Sequence, residues 1–147
     1  MRLLHDPPAD GYWKADAKNG CADVFFITVY EKLQELIDTM KNVALESGFD
    51  VGDMGIYLQP AVQGVNYHCE FNLFFDKDNL AEKETVKTLV DAAAGALANR
   101  GAFFSRPYGP WADMAYRRDA GTTMALRKVK GIFDPNNVMN PGKLCFQ

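Results

Sequence analysis

Residues 65–75 alternate so cleanly that they fix one element of the fold before anything else is read. Val65, Tyr67, Cys69, Phe71, Leu73 and Phe75 share one face of an extended strand, and Asn66, His68, Glu70 and Asn72 share the other. A strand with this pattern buries one side and leaves a polar side, so the chain must supply something to cover the apolar face.

The neighbouring stretches supply it. Val24–Tyr30 is β-branched and aromatic, which predicts a short buried strand. Leu33, Leu36, Ile37, Met40, Val43 and Ala44 recur at helical spacing, and Gly48 followed by Phe49 stops that helix. Met54, Ile56 and Leu58 alternate with Gly55 and Tyr57, so a second strand runs to Pro60, and Ala61–Gly64 turns into the third. Asn79 predicts a helix cap with Glu82 as its reciprocal partner; Leu89, Val90, Ala93 and Leu97 give that helix its buried stripe, and Arg100-Gly101 closes it. Ala102-Phe103-Phe104 reads as a short fourth strand, and Ser105–Trp111 as a loop. A last helix is expected from Met114 to Lys130, broken near Gly121. The order β-α-β-β-α-β plus a C-terminal helix predicts an α+β, ferredoxin-like antiparallel sheet with helices on one face. The other face is left to cover a partner.

Length and composition agree with one globular domain: 147 residues, 48% hydrophobic and 12% aromatic. A net charge of −3 leaves no electrostatic footprint for nucleic acid. The basic residues Arg117, Arg118, Arg127, Lys128 and Lys130 read as helix-end cations. Cys21, Cys69 and Cys145 are odd in number and widely spaced, which argues against a disulfide framework or a structural zinc and favours a reduced, cytoplasmic setting. No run of eighteen apolar residues suggests a membrane span, and Met1-Arg2-Leu3-Leu4 is too short for a signal peptide. Residues 1–20 read as a loop lead-in with Tyr12 and Trp13 as anchors, as if the chain begins inside something larger; His5 is assigned no role.

The C-terminal stretch Gly131–Leu144 is dense in turn formers yet keeps large apolar residues. Pro135 and Pro141 forbid a helix there, while Gly, Asn and Asp favour turns. An irregular but pinned coil is expected, docked by Ile132, Phe133, Val138, Met139 and Leu144, with Asp134 holding the turn. One reading is a lock that staples the last helix to the core; the other is a tail shaped for contact with a second domain.

Asp134-Pro135-Asn136 and Asn140-Pro141-Gly142-Lys143-Leu144 resemble the end of FAD-linked oxidases of the vanillyl-alcohol oxidase and p-cresol methylhydroxylase type. That family also includes glycolate oxidase and D-lactate dehydrogenase flavoproteins. Gly64-Val65-Asn66-Tyr67-His68 is similar to the Gly-x-Asn-x-His core of the hydroxyacid-oxidising branch. The resemblance covers residues 21–147 and implies the substrate, or cap, domain. The glycine-rich flavin-binding half of the family has no counterpart, and no Gly-x-Gly-x-x-Gly occurs.

Candidate residues follow from both kinds of reading. Asn66, His68, Glu70 and Asn72 stand at alternate positions, roughly 7 Å apart, either as a solvated face or as a working one. The resemblance implies that this strand faces flavin and substrate, with His68 transferring a proton and Asn66 and Glu70 orienting the substrate. Gln59, Pro60 and Gln63 stand where the hydroxyacid branch has further His and Asp residues, so no metal is expected. Arg106 ends a strand before the rigid Pro107 and offers a guanidinium fork to an anion; the resemblance places it near flavin and substrate. Tyr108, Trp111 and Tyr116 line an aromatic pocket or anchor the core. Asn140 and Lys143 are candidates for contact with the cofactor.

The resemblance implies one component of an FAD-dependent oxidoreductase that oxidises a phenolic or benzylic alcohol, or a 2-hydroxy acid, by hydride transfer to flavin. Its partners would be a small-molecule substrate and the missing FAD-binding domain, and the isolated chain is expected to be colourless. A different class stays open: a non-catalytic ferredoxin-like module that binds a ligand or forms a homo-oligomer through its sheet.

Overall fold

Strand β1 spans Gly20–Val29, β2 Met54–Ala61 and β3 Asn66–Phe75. The computed structural model describes residues 18–143 and Phe146, with Gln63 and Pro110 described by backbone alone. Tyr12, Trp13, His5, Leu144 and Cys145 lie outside the described residues. The alternating strand β3 is central: β1 pairs with it antiparallel from Gly20↔Phe75 to Val29↔Asn66, and β2 from Met54↔Leu73 to Ala61↔Asn66.

This register decides the faces, because directly opposed residues project to the same side. Val24 and Phe26 of β1 join Cys69, Phe71 and Leu73 of β3, all fully buried. Helix α1 (Leu33–Glu46) lays Leu33, Leu36, Met40 and Ala44 on that side, and α2 (Leu80–Asn99) adds Val86, Leu89, Ala93 and Leu97. The two helices also pack on each other. Each large side chain so buried contributes about 1.5–3 kcal/mol. The helical stripe read from the sequence is the one that is buried, with Thr39 added and Ile37 and Val43 half-buried. Gly48 ends α1 at φ +74°, a conformation that costs glycine nothing, and Phe49 behind it is buried.

Three local expectations need correction, and a fourth holds in altered form. Val65 lies outside β3 and is exposed, because the turn Val62–Gly64 delivers the chain to the sheet only at Asn66. The fourth strand shrinks to one bridge: Ile27 and Phe103 exchange backbone hydrogen bonds of 2.8 and 3.0 Å. Gly101 before it and Pro107 after it leave too little extended chain for more. The bridge still lies beside β1, so the ferredoxin-like order survives with a rudimentary last strand. The Asn79 cap forms, its Oδ1 accepting from the Ala81 and Glu82 amides, and Glu82 returns to the Asn79 side chain, Oε1 accepting from Nδ2 at 3.1 Å, while the Asn79 backbone amide donates to the Asp76 carbonyl. The other oxygen of Glu82, Oε2, accepts from the Asp76 amide at 2.9 Å and from Lys18 Nζ at 3.1 Å. Finally, the last helix is two: α3 (Pro110–Tyr116) and α4 (Ala120–Phe133). The break falls at Arg117–Asp119, before Gly121, because Asp119 caps α4 through the Thr122 amide and hydroxyl.

The chain divides after Phe103 into two compact units. The first holds the sheet, α1 and α2; the second holds α3, α4 and the C-terminal coil. Among the described residues, no helix is long and apolar enough to cross a membrane.

Candidate functional site

In the second unit the C-terminal coil is pinned by a carboxylate. Asp134, buried at the end of α4, accepts from the Val138 amide at 2.8 Å through Oδ1 and from the Met139 amide at 2.9 Å through Oδ2. Lys130, one turn back, donates to Asp134 and also to the Met139 carbonyl at 2.9 Å, with its ammonium 5.4 Å from the Phe146 ring centroid. The Lys130 hydrogen bond, and then the two amides, hold the Asp134 carboxyl below the usual carboxylate range against the opposing effect of burial. Asn137 and Asn140 take left-handed φ values of 50° and 49°, and Gly142 follows Pro141 at φ +68°, as the third position of a type II turn requires. The Lys143 amide closes that turn on the Asn140 carbonyl at 3.3 Å.

The expected pin therefore exists, and Asp134 holds the turn as its sequence context implied. Its apolar members do not dock. Ile132, Phe133, Val138 and Met139 are all exposed, the least of them at 61%. A coil without ladder partners must satisfy its amides, and one carboxylate does that here with no apolar burial.

Beside this pin lies a cleft of ≈ 870 Å3 within the second unit. Arg106, Lys143 and Asn140 give it polar groups; Tyr108, Tyr116 and Phe133 give it rings; Leu126, Val129 and Met139 give it an aliphatic floor. Five of the candidate residues, Arg106, Tyr108, Tyr116, Asn140 and Lys143, thus come together. Trp111 lies elsewhere: it is buried and stacks on Phe104 with centroids 5.1 Å apart and planes 11° from parallel. Sequence reading missed Leu126 and Val129 and gave Phe133 only to the docking of the coil, although their i, i+3, i+7 spacing is the signal of an apolar helix stripe. The floor of such a cleft favours a flat apolar body, and its cations favour an anionic group on it.

The first unit carries the other cluster, on the sheet face away from the helices. His68 Nε2 lies 3.3 Å from Glu70 Oε2. Asn72 Nδ2 donates to Glu70 Oε1 at 2.6 Å and to Asp23 Oδ1 at 2.9 Å. The imidazole sits between Phe25 and Tyr57, with centroids 6.0 and 6.3 Å away. This row is far from simply solvated: the His68 and Glu70 side chains are 20% and 18% exposed, and Asn72 only 1%. Asn66, at the start of β3, lines a separate recess with Lys32 and Arg100. Asp23 was not singled out from the sequence, because only the register shows it opposite Asn72. On the core face, burial pushes the Cys69 thiol up to about 12, so it stays protonated. Among the described residues, no three His, Cys, Asp or Glu side chains converge as a metal site.

Residues 27–144 match the family described as FAD linked oxidases, C-terminal domain. The chain belongs to this family. The match runs from near the end of β1 into the C-terminal coil, so it takes in His68, Glu70 and Asn72 of the sheet face and Arg106, Tyr108, Asn140 and Lys143 of the cleft, while Asp23 lies before it. No curated protein matches the chain closely enough to serve as a named relative.

Membership of the FAD-linked oxidases implies FAD, and the donor set of the cleft fits one edge of such a cofactor. Arg106, Lys143 and Asn140 are the groups that would meet an electron-rich heterocycle edge, and the rings of Tyr108 and Phe133 suit its flat body.

Proposed function

We propose that this chain is the substrate-side domain of an FAD-linked oxidoreductase whose flavin is held mainly by a separate FAD-binding domain. FAD, when bound, supplies the hydride acceptor. The residues of this chain bind and orient. Arg106 and Lys143 take the anionic group of the substrate, and Tyr108 lies against its flat part. Asn140 and Lys143 reach the cofactor edge. In the first unit, taken by itself, His68, backed by Glu70, holds or moves a proton at Nε2, while Asn66 lines a separate recess with Lys32 and Arg100. Trp111 braces the cleft through its stack on Phe104, a structural part in place of direct contact.

The observation that carries the reading is the cleft itself, with cations and aromatic walls in one cavity of an FAD-linked oxidase domain. Those walls favour a phenolic or benzylic alcohol over a short 2-hydroxy acid, which would leave the apolar floor unfilled. The test is a substrate panel on the oxidase assembled with its FAD-binding domain. Turnover of 4-alkylphenols or benzylic alcohols is expected, with Arg106→Ala raising KM for the anionic substrate at least tenfold, the order of one charged hydrogen bond. Turnover of lactate or glycolate with no phenol turned over would reverse the substrate assignment. Stoichiometric FAD on the isolated chain would overturn the proposed division of labour.

A second reading rests on Ile56, Tyr57 and Leu58, three successive exposed apolar residues on the edge strand β2. An edge of that kind is a surface for strand addition, so a stable dimer closed through the sheet, with no effect of Arg106 on any oxidation, would favour a non-catalytic interaction module.

A further inference from the structure

We propose that Asp23 and Asn72 are positioning residues that aim the Glu70 carboxylate at His68, so that the working part of the sheet face is a four-residue chain spanning two strands. The inference rests on the proton-handling part given to His68 above and extends it to two residues that no sequence pattern marks.

The geometry runs in one direction. Asp23 on β1 stands directly opposite Asn72 on β3. Asn72 Nδ2 donates to Asp23 Oδ1 at 2.9 Å and to Glu70 Oε1 at 2.6 Å, using both of its hydrogens. With Oε1 held in that way, the other oxygen of Glu70 is the one that meets His68 Nε2 at 3.3 Å. A carboxylate on a free glutamate side chain samples several rotamers; one oxygen fixed by a buried amide removes most of that freedom.

The third strand completes the clamp by withholding a side chain. Gly55 on β2 also stands opposite Asn72. A Cβ there would lie 3.3 Å from Phe74 Cε2, 3.5 Å from Asn72 Cβ and 3.6 Å from Asn72 Oδ1. The amide is thus bonded from one neighbouring strand, and the glycine on the other leaves it room; Asn72 is 1% exposed. Burying a carboxamide is costly unless its hydrogens are used, and here both are used on carboxylates. A residue needed only to fill space at this position would be apolar.

Two measurements test the assignment. On the chain as it stands, the His68 Cε1–H resonance is followed by NMR at fixed pH. Asn72→Leu keeps the side chain's branching and heavy-atom count and removes the donor, and is expected to shift that resonance, as is the milder Asp23→Asn. A control at the exposed Leu45 leaves it unmoved. In the assembled oxidase, Asn72→Leu is expected to lower kcat about tenfold with KM within about twofold, the pattern of a group aimed incorrectly. Asp23→Asn is expected to lower kcat by a smaller factor, because it keeps an acceptor, and to alter the pH profile. If Asn72→Leu does not fold, Asp23→Asn carries the test alone. An unmoved His68 resonance in Asp23→Asn overturns the positioning role even where His68→Asn abolishes turnover. A shifted resonance in an oxidase indifferent to His68→Asn leaves the clamp standing and removes the catalytic reading beneath it.

Discussion

The sheet of the first unit and the last helix and coil of the second are held by different means. In the first, Phe26, Phe71, Leu36, Met40, Leu89 and Leu97 are sealed between sheet and helices, and the polar groups on the far face are bonded to one another. In the second, α4 buries none of its residues, and the coil behind it is tied by a single carboxylate and the lysine one turn earlier. The comparison teaches that apolar content does not decide where a core forms. Leu126, Val129, Ile132 and Phe133 are as hydrophobic as anything in the sheet, yet they are exposed. Within the second unit they line a cleft or face outward, which is what a surface kept for a ligand or partner requires.

The sharpest way to break the contrast is a cavity in the first unit. Phe71→Ala should cost about 3–5 kcal/mol of its unfolding free energy, read from denaturant midpoints at unchanged slope. A cost below about 1 kcal/mol would mean that the sheet core is not the source of stability. Next comes Asn79→Ala, which removes the cap of α2 and should cost about 1 kcal/mol in the same unit.

Asp134→Ala should act differently, leaving the unfolding of the first unit unchanged while hydrogen exchange accelerates at the Val138 and Met139 amides. Acid should mimic it. The Asp134 carboxyl is lowered on folding, chiefly by Lys130, so its contribution is present above the ordinary carboxylate range and is lost as pH falls through the native value. The protection of these two amides, with exchange referred to its intrinsic rate at each pH, should therefore fall as pH drops below about 4, before the β1–β3 ladder around Phe26 and Phe71 opens. Smallest of all, Ile132→Ala should change stability by no more than about 0.5 kcal/mol despite removing a large apolar side chain, because that side chain is 74% exposed.

Much of the first unit was legible from residue order. The helical stripe from Leu33 to Ala44, the Asn79 cap and the alternation of β3 depend on neighbours within one or two turns, where periodicity is a direct readout of which side is covered. The fourth strand was overread because Ala102-Phe103-Phe104 has strand chemistry but too little room beside Gly101 and Pro107. For the candidate site, the residues found from the sequence were those on recognisable turns or in the alternating strand: Arg106, Tyr108, Asn140, Lys143 and His68. Leu126 and Val129 were passed over because an apolar helix stripe reads as core until its partner is shown to be missing.

The sequence by itself determined the order of elements from β1 to the helix Leu80–Asn99, the turn-rich C-terminal coil and the family to which the chain belongs, since each is written in local spacing or in a contiguous motif. Tertiary structure alone decided that Asp23 meets Asn72, that Glu82 turns to Asp76 and Lys18, and that Asp134 gathers two amides and an ammonium. The physical reason is range. Propensity and periodicity act over a few residues, whereas a polar side chain chooses its partner from whatever the register and the turns deliver within about 3 Å.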